Sequence, residues 1–166
     1  MNPIEQSQAT LLTRSQAAVR QARVHRDRGD VDTAAYLYAH ALEWAETAEA
    51  RAGLAWTLAY AGRLDEAARE CRRAILAEPD DGRACNDLGV YLMQAGEDEQ
   101  ALVCLEQAAA AKVNPDRHFP WYNMGRIHER RGAAPLAQDC YGEALRLDPA
   151  FDAAQRALER VRRKAH

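Results

Sequence analysis

Cysteine, histidine and clustered carboxylates are where a chain of this kind could do chemistry, and here none of them is spaced for it. Cys71, Cys85, Cys104 and Cys140 are far apart and form no Cys-x-x-Cys pair. Neither a zinc site nor a disulfide framework is therefore expected, and small buried hydrophobes are the better reading. His25, His40, His118, His128 and His166 are scattered, with no His-Glu-x-x-His arrangement that would set two imidazoles on one helix face. Asp80-Asp81 and Glu97-Asp98-Glu99 lack the alternating oxygen ligands of a calcium loop and read as solvated turns. No glycine-rich phosphate loop and no Gly-x-Ser-x-Gly elbow occurs. Catalysis, metals and cofactors are thus not expected. Arginine remains, with Arg156, Arg160 and Arg163 in a stripe at i, i+4, i+7. Its planar fork recognises carboxylates bidentately, which is chemistry of binding and not of bond making.

The elements that must position such groups announce themselves by repetition. Gly29, Gly62, Gly96 and Gly132 follow one another at intervals of 33, 34 and 36 residues. Seven residues before each glycine stands a small residue: Ala22, Ala55, Gly89 and Gly125. Five residues after it stand Ala34, Ala67, Ala101 and Ala137, and seven further on Ala41, Ala74, Ala108 and Ala144. Between those alanines lie Tyr38, Cys71, Leu105 and Tyr141. Periods of this length mark stacked supersecondary units. Each column has a physical task. The glycine ends a first helix in the left-handed conformation that other residues adopt at a cost. The small residue before it lets the two helices of a hairpin approach closely. The alanines face the neighbouring helix, and the larger side chains between them are knobs. Asp32, Asp65 and Glu99 fall in the first turn of a second helix, where the dipole favours negative charge, and Pro135 takes that place in the fourth repeat. Pro79 and Pro149 stop second helices.

With those residues in view, the chain resembles the tetratricopeptide-repeat family. Trp121 to Gly125, Gly132, Ala137, Tyr141, Ala144 and Leu145 to Pro149 fill nearly every signature position, and Leu54, Ala55, Leu58, Gly62, Ala67, Ala74 and Pro79 give a second match. Leu88, Gly89, Leu92, Gly96, Ala101, Leu105 and Ala108 give a third. The first repeat departs most, offering Ala18, Gln21, Ala22 and His25 where larger apolar residues are expected. The resemblance implies an all-α fold, a right-handed superhelical solenoid of helical hairpins. Four repeats are expected at about 15–47, 48–81, 82–117 and 118–151, with a capping helix at 152–164, as a single domain over 1–166. Residues 1–6 are expected to fray, and Ser7–Thr13 to extend the first helix or fold over it. The late proline, Pro115, predicts that the third repeat's second helix or its exit turn is lengthened. His25 and His128 occupy equivalent places where the family often has tyrosine, so they read as packing groups.

The resemblance also implies where binding occurs. First helices of successive hairpins line a concave groove, and the residues flanking the Leu-Gly-like pair face it. Those are Val19, Arg20 and Arg23; Ala52, Gly53 and Trp56; Asn86, Asp87 and Val90; Tyr122, Asn123 and Arg126; then Arg156 and Arg160 on the tail helix. Arginine lies at both ends, with amides and aromatic anchors between. The expected partner is an extended or helical segment of another protein, with an acidic side chain or free C-terminus near Arg126 and Arg160. Repeats that bind acidic chaperone tails use a two-carboxylate clamp of Lys, Asn and Arg. Asn123 matches one place, but Asp87, Val90, Ala153 and Ala157 stand in others, so that activity is not predicted. Two alternatives stand beside the adaptor reading. One is a self-assembling unit carried by residues 1–28, a possible homo-oligomer. The other is a secretion chaperone, since those of bacterial type III systems are similar in size and repeat architecture.

Composition bounds the rest. A net charge of −3 and a pI near 6.0 provide no field to draw the chain to nucleic acid or to a membrane surface. No apolar run approaches the roughly 20 residues a membrane-spanning helix needs. The polar start, Met1 to Gln8, is not expected to be a secretory signal. A cytoplasmic location is expected if the chain begins at its natural start, and the Ala- and Arg-rich usage suggests a bacterial source. Charge is segregated, with residues 48–117 net acidic and 118–166 net basic.

Overall fold

The computed structural model describes residues 2–164, all-α in its regular elements, in two compact units, Met1–Glu78 and Pro79–His166. His166, one of the scattered histidines, lies outside the described residues, as does Met1 of the segment expected to fray.

The first unit holds α1 (Pro3–Asp27), α2 (Val31–Trp44), α3 (Ala48–Tyr60) and α4 (Leu64–Ala77). Each hairpin is antiparallel, α1 on α2 and α3 on α4, and α3 also packs against α1 and α2. α1 starts earlier than fraying would allow. The Asn2 side chain accepts the Glu5 amide at 2.9 Å, and the Glu5 carboxylate accepts the Asn2 amide at 2.8 Å. This capping box, with Pro3 in the first turn, closes the end and makes residues 3–14 a direct extension of the helix. The first residue of α1 to be buried is Ser15, whose hydroxyl reaches the Ala45 carbonyl at the end of α2. From there Ala18, Val19 and Ala22 carry the packing, so small side chains do in α1 what larger ones do elsewhere.

The second unit holds α5 (Gly82–Gln94), α6 (Asp98–Ala110), α7 (His118–Arg130), α8 (Ala134–Leu147) and α9 (Asp152–Lys164). Each helix packs on the next in order, and α5 also meets α7. The additional residues expected near Pro115 lengthen the exit turn and not the helix. α6 ends at Ala110, and Val113 pairs back onto the start of α5, donating to Asp80 at 3.0 Å and accepting from Gly82 at 2.9 Å. The buried Asn114 amide donates to the Ala108 carbonyl at 2.8 Å, satisfying an orphan acceptor at the helix end.

The glycine and knob columns take their expected places. Gly29, Gly62, Gly96 and Gly132 have φ between 74° and 84°, each just past a first helix. Leu105 fills the space where Gly89 lacks a Cβ, and Tyr141 the space at Gly125, so each hairpin closes by a knob on a glycine. Tyr38, Leu105 and Tyr141 are fully buried, each contributing roughly 1.5–3 kcal/mol of apolar transfer. Tyr38 departs from the pattern by reaching the next hairpin, where its ring lies over Gly53. One buried ion pair was not foreseen: Arg51 on α3 donates to Glu70 on α4 at 2.7 Å and also meets Glu46 at 2.8 Å. Arg51 stands in the column that holds Trp121 in the fourth repeat. The pair takes over there the filling role of a large side chain.

Candidate functional site

Within the second unit, the first-helix residues expected to face a groove form a connected polar row. Asn123 on α7 donates its amide to Asn86 on α5 at 3.2 Å, joining the two first helices. Asn86 in turn donates to Asp87 at 3.3 Å. Arg126, one turn beyond Asn123, donates to its carbonyl oxygen at 3.2 Å and lies over the Tyr122 ring, 5.9 Å from the centroid. Val90 is half-buried one turn after Asn86. Asn123 is buried, so it orients its neighbours and does not present a free amide. Arg126 is exposed and has no carboxylate partner among the described residues. Burial pushes the Asp87 carboxyl above its ordinary range, partly offset by the Asn86 hydrogen bond. The row therefore offers an unneutralised guanidinium, an acceptor-rich amide pair and a carboxylate that is poorly solvated.

Arg160 is placed differently. It forks onto Glu129 of α7 with bonds of 2.8 and 2.7 Å, Tyr141 donates to the same carboxylate at 2.9 Å, and Lys164 lies 3.7 Å away. These donors, Arg160 first, hold the Glu129 carboxyl at about 2, well below its usual value. Arg160 thus fastens α9 to α7. Arg156 is exposed and lies 3.9 Å from Asp152 on its own helix. Tyr122 is half-buried, its ring 5.0 Å from Phe151 and 5.7 Å from Tyr141. Phe119 and Phe151, the two phenylalanines of the chain, close this cluster at 5.4 Å. Neither was singled out by spacing; the available signal was that they are the sole phenylalanines, Phe119 in the first turn of α7 and Phe151 just before α9.

In the first unit, Trp56 on α3 is half-exposed and stacks on Tyr60, 5.5 Å between centroids at 15°. Arg26 of α1 also lies over the Trp56 ring, 5.1 Å from its centroid. Tyr60 and Arg26 were missed because only residues beside the Leu-Gly-like pair were read, and these lie one turn further along the same face. Arg23 pairs with Glu49 of α3. Arg20 is exposed and makes no ion pair among the described residues. Val19 and Gly53, read as facing the groove, are buried instead: Val19 in the α1 packing, Gly53 beneath Tyr38. The neighbouring Ala52 is exposed.

Among the described residues no three His, Cys, Asp or Glu side chains are grouped to hold a metal ion, and no helix is long and apolar enough to cross a membrane. Residues 58–119 match a family model described as tetratricopeptide repeat. No curated protein matches the chain in sequence. Among solved structures, Pseudomonas aeruginosa pilF is similar at a TM-score of 0.83 and 21% identity, over 92% of this chain and 69% of that one. MamA is similar at 0.73 and 20%, over 87% and 84%. YrrB, described as a TPR protein with an unusual peptide-binding site, is similar at 0.72 and 18%, over 87% and 74%. At such identities the likeness establishes the fold.

Proposed function

Because the chain is built of tetratricopeptide repeats, we propose that it is a binding module for another protein, holding an extended or helical segment of that partner on the first-helix face of its hairpins and catalysing no reaction. The observation that carries this reading is the row Asn86, Asn123 and Arg126, linked by hydrogen bonds and ending in a guanidinium that meets no carboxylate among the described residues. A side chain already oriented by its neighbours loses little entropy on binding, and arginine is the residue suited to a carboxylate fork. The partner segment therefore places an acidic side chain or a free C-terminus beside Arg126. Arg160 would have to release Glu129 to join, which makes Arg126 the primary contact. In the first unit, Trp56 with Tyr60 and Arg26 provides a rigid aromatic anchor of the kind that dominates interface energetics. That YrrB has a peptide-binding site supports the reading.

The test is selection from a displayed library of random 12-residue peptides, followed by titration of the enriched sequences. Arg126→Glu, shown by circular dichroism to be as helical as the parent, should weaken acidic peptides at least tenfold. Undiminished binding would remove Arg126 from the site.

A second reading, self-assembly through α1, is favoured by Ile4, Leu11 and Leu12, which are exposed on its first turns. Light scattering across a concentration series decides it, since a constant monomer mass excludes it.

A further inference from the structure

One cavity in the first unit lies away from the first-helix face. It is a cleft of about 450 Å³ between the second helices α2 and α4. Its floor is apolar: Leu54 and Leu58 of α3, one turn apart, with Ala39 of α2 beside them. One wall is Tyr36, 66% exposed although it borders this floor. Tyr36 stacks on His40 at 5.7 Å, and His40 meets Trp44 at 4.4 Å, so a ladder along α2 holds the wall in place. The opposite wall is Arg69 and Arg73 of α4.

The charges on that second wall are arranged with the cations outward. Glu70 is 11% exposed and receives both the buried Arg51, at 2.7 Å, and Arg73, at 2.8 Å. Glu66 accepts two hydrogen bonds from Arg63, at 2.6 and 2.7 Å, and lies 3.9 Å from Arg69. Each carboxylate is thus shared by two guanidiniums, and the exposed member of each pair is an arginine at 59% or 64%. Asp32 is the remaining acid, on the α2 rim. Three arginines and three carboxylates line the cleft, but Arg69 and Arg73 are more exposed than the carboxylates they meet. With the apolar floor and the exposed tyrosine they favour an acidic occupant with an apolar face.

We propose that this cleft is a second docking surface, for an amphipathic acidic helix of a partner protein. Its apolar residues, spaced i and i+4, lie on Leu54 and Leu58 against Tyr36, and Asp or Glu on one flank meets Arg69 and Arg73. Two parallel helical walls and an i, i+4 floor are the geometry into which a further helix packs. The surface is separate from Arg126 and Trp56, so its fate does not depend on the groove reading.

The experiment uses the full chain and two displayed libraries of 16-residue helices with identical apolar faces, one flanked by Glu and one by Lys. The acidic library should enrich and the basic one should not. Enriched peptides should perturb the amide resonances of Ala39, Leu54 and Leu58, and Arg69→Gln with Arg73→Gln should weaken them at least tenfold. Tyr36→Ala, which leaves the Glu70 network intact, should do likewise, and Arg126→Glu should leave them unchanged. Equal enrichment of both libraries, resonance shifts confined to the first-helix faces, or indifference to both the arginine and the Tyr36 substitutions would overturn the proposal.

Discussion

Gly53 has no side chain because the ring of Tyr38 already occupies the space: an added Cβ would overlap the ring at Cε1 and Cζ. Tyr38 is fully buried and cannot swing to solvent without opening the α2–α3 contact. Gly53→Ala should therefore destabilise the first unit by about 1–3 kcal/mol in thermal or urea unfolding. Adding Tyr38→Leu should recover part of that loss, because the two sites share one volume. Asp87 makes the opposite kind of prediction. Its folded carboxyl titrates above its ordinary value, so the native state binds a proton that the unfolded chain has already released. The penalty is absent in acid and grows as pH rises through the folded value. Asp87→Asn should consequently be more stable than the parent at neutral pH, with the difference vanishing at low pH. The same substitution tests binding, since weaker peptide binding despite greater stability would identify Asp87 as an acceptor for the partner.

At the scale of elements, α9 is held by an apolar face and one ionic fastening. Ala157, Leu158 and Val161 share a buried cluster with Ala137 and Tyr141 of α8. Glu129 of α7 adds the polar fastening, receiving Arg160 and Tyr141 together. Glu129 titrates near 2 in the folded chain against an ordinary 4.5. The stabilisation it brings is complete above its ordinary value and is lost as pH falls from there towards 2. Glu129→Gln should cost about 1 kcal/mol at neutral pH, a modest figure because Arg160 is half-exposed. It should also flatten the acid limb of the stability profile measured by circular dichroism. An acid limb identical to that of the parent would show that Glu129 is not the group responsible.

At the scale of the whole molecule, the chain divides into two compact units, each with fully buried side chains of its own. The first is filled around Tyr38, Ala34 and Leu58; the second around Leu105, Ile127 and Tyr141. Repeat proteins derive stability from each unit and its nearest neighbours, so a piece with its own core and a polar-faced terminal helix meets the requirement for folding alone. Residues 79–166 expressed alone should be helical and melt in one cooperative transition. A broad, non-cooperative melt would show that this core needs residues 1–78.

What was legible in the sequence was whatever is local or periodic. The four glycines could be placed at helix ends because a positive φ is a property of one residue. The hairpins followed because small and large residues recur at a fixed interval, and the first-turn acids and Pro135 because capping acts within four residues. The extent of α1 is also local in cause, but its capping box at Asn2 and Glu5 precedes the repeat, so periodicity was silent there. The site was read less completely. Asn86, Tyr122, Asn123 and Arg126 come together as one row, while Val19 and Gly53 turn inward, because one residue's difference in helical phase separates a groove from a core. The partners of charged groups were decided only in three dimensions. Arg160 with Glu129, Arg51 with Glu70 and Arg26 over Trp56 are separated by 31, 19 and 30 positions along the chain. No local rule selects one carboxylate or ring among many at such distances. The packing of one helix against the next makes that choice.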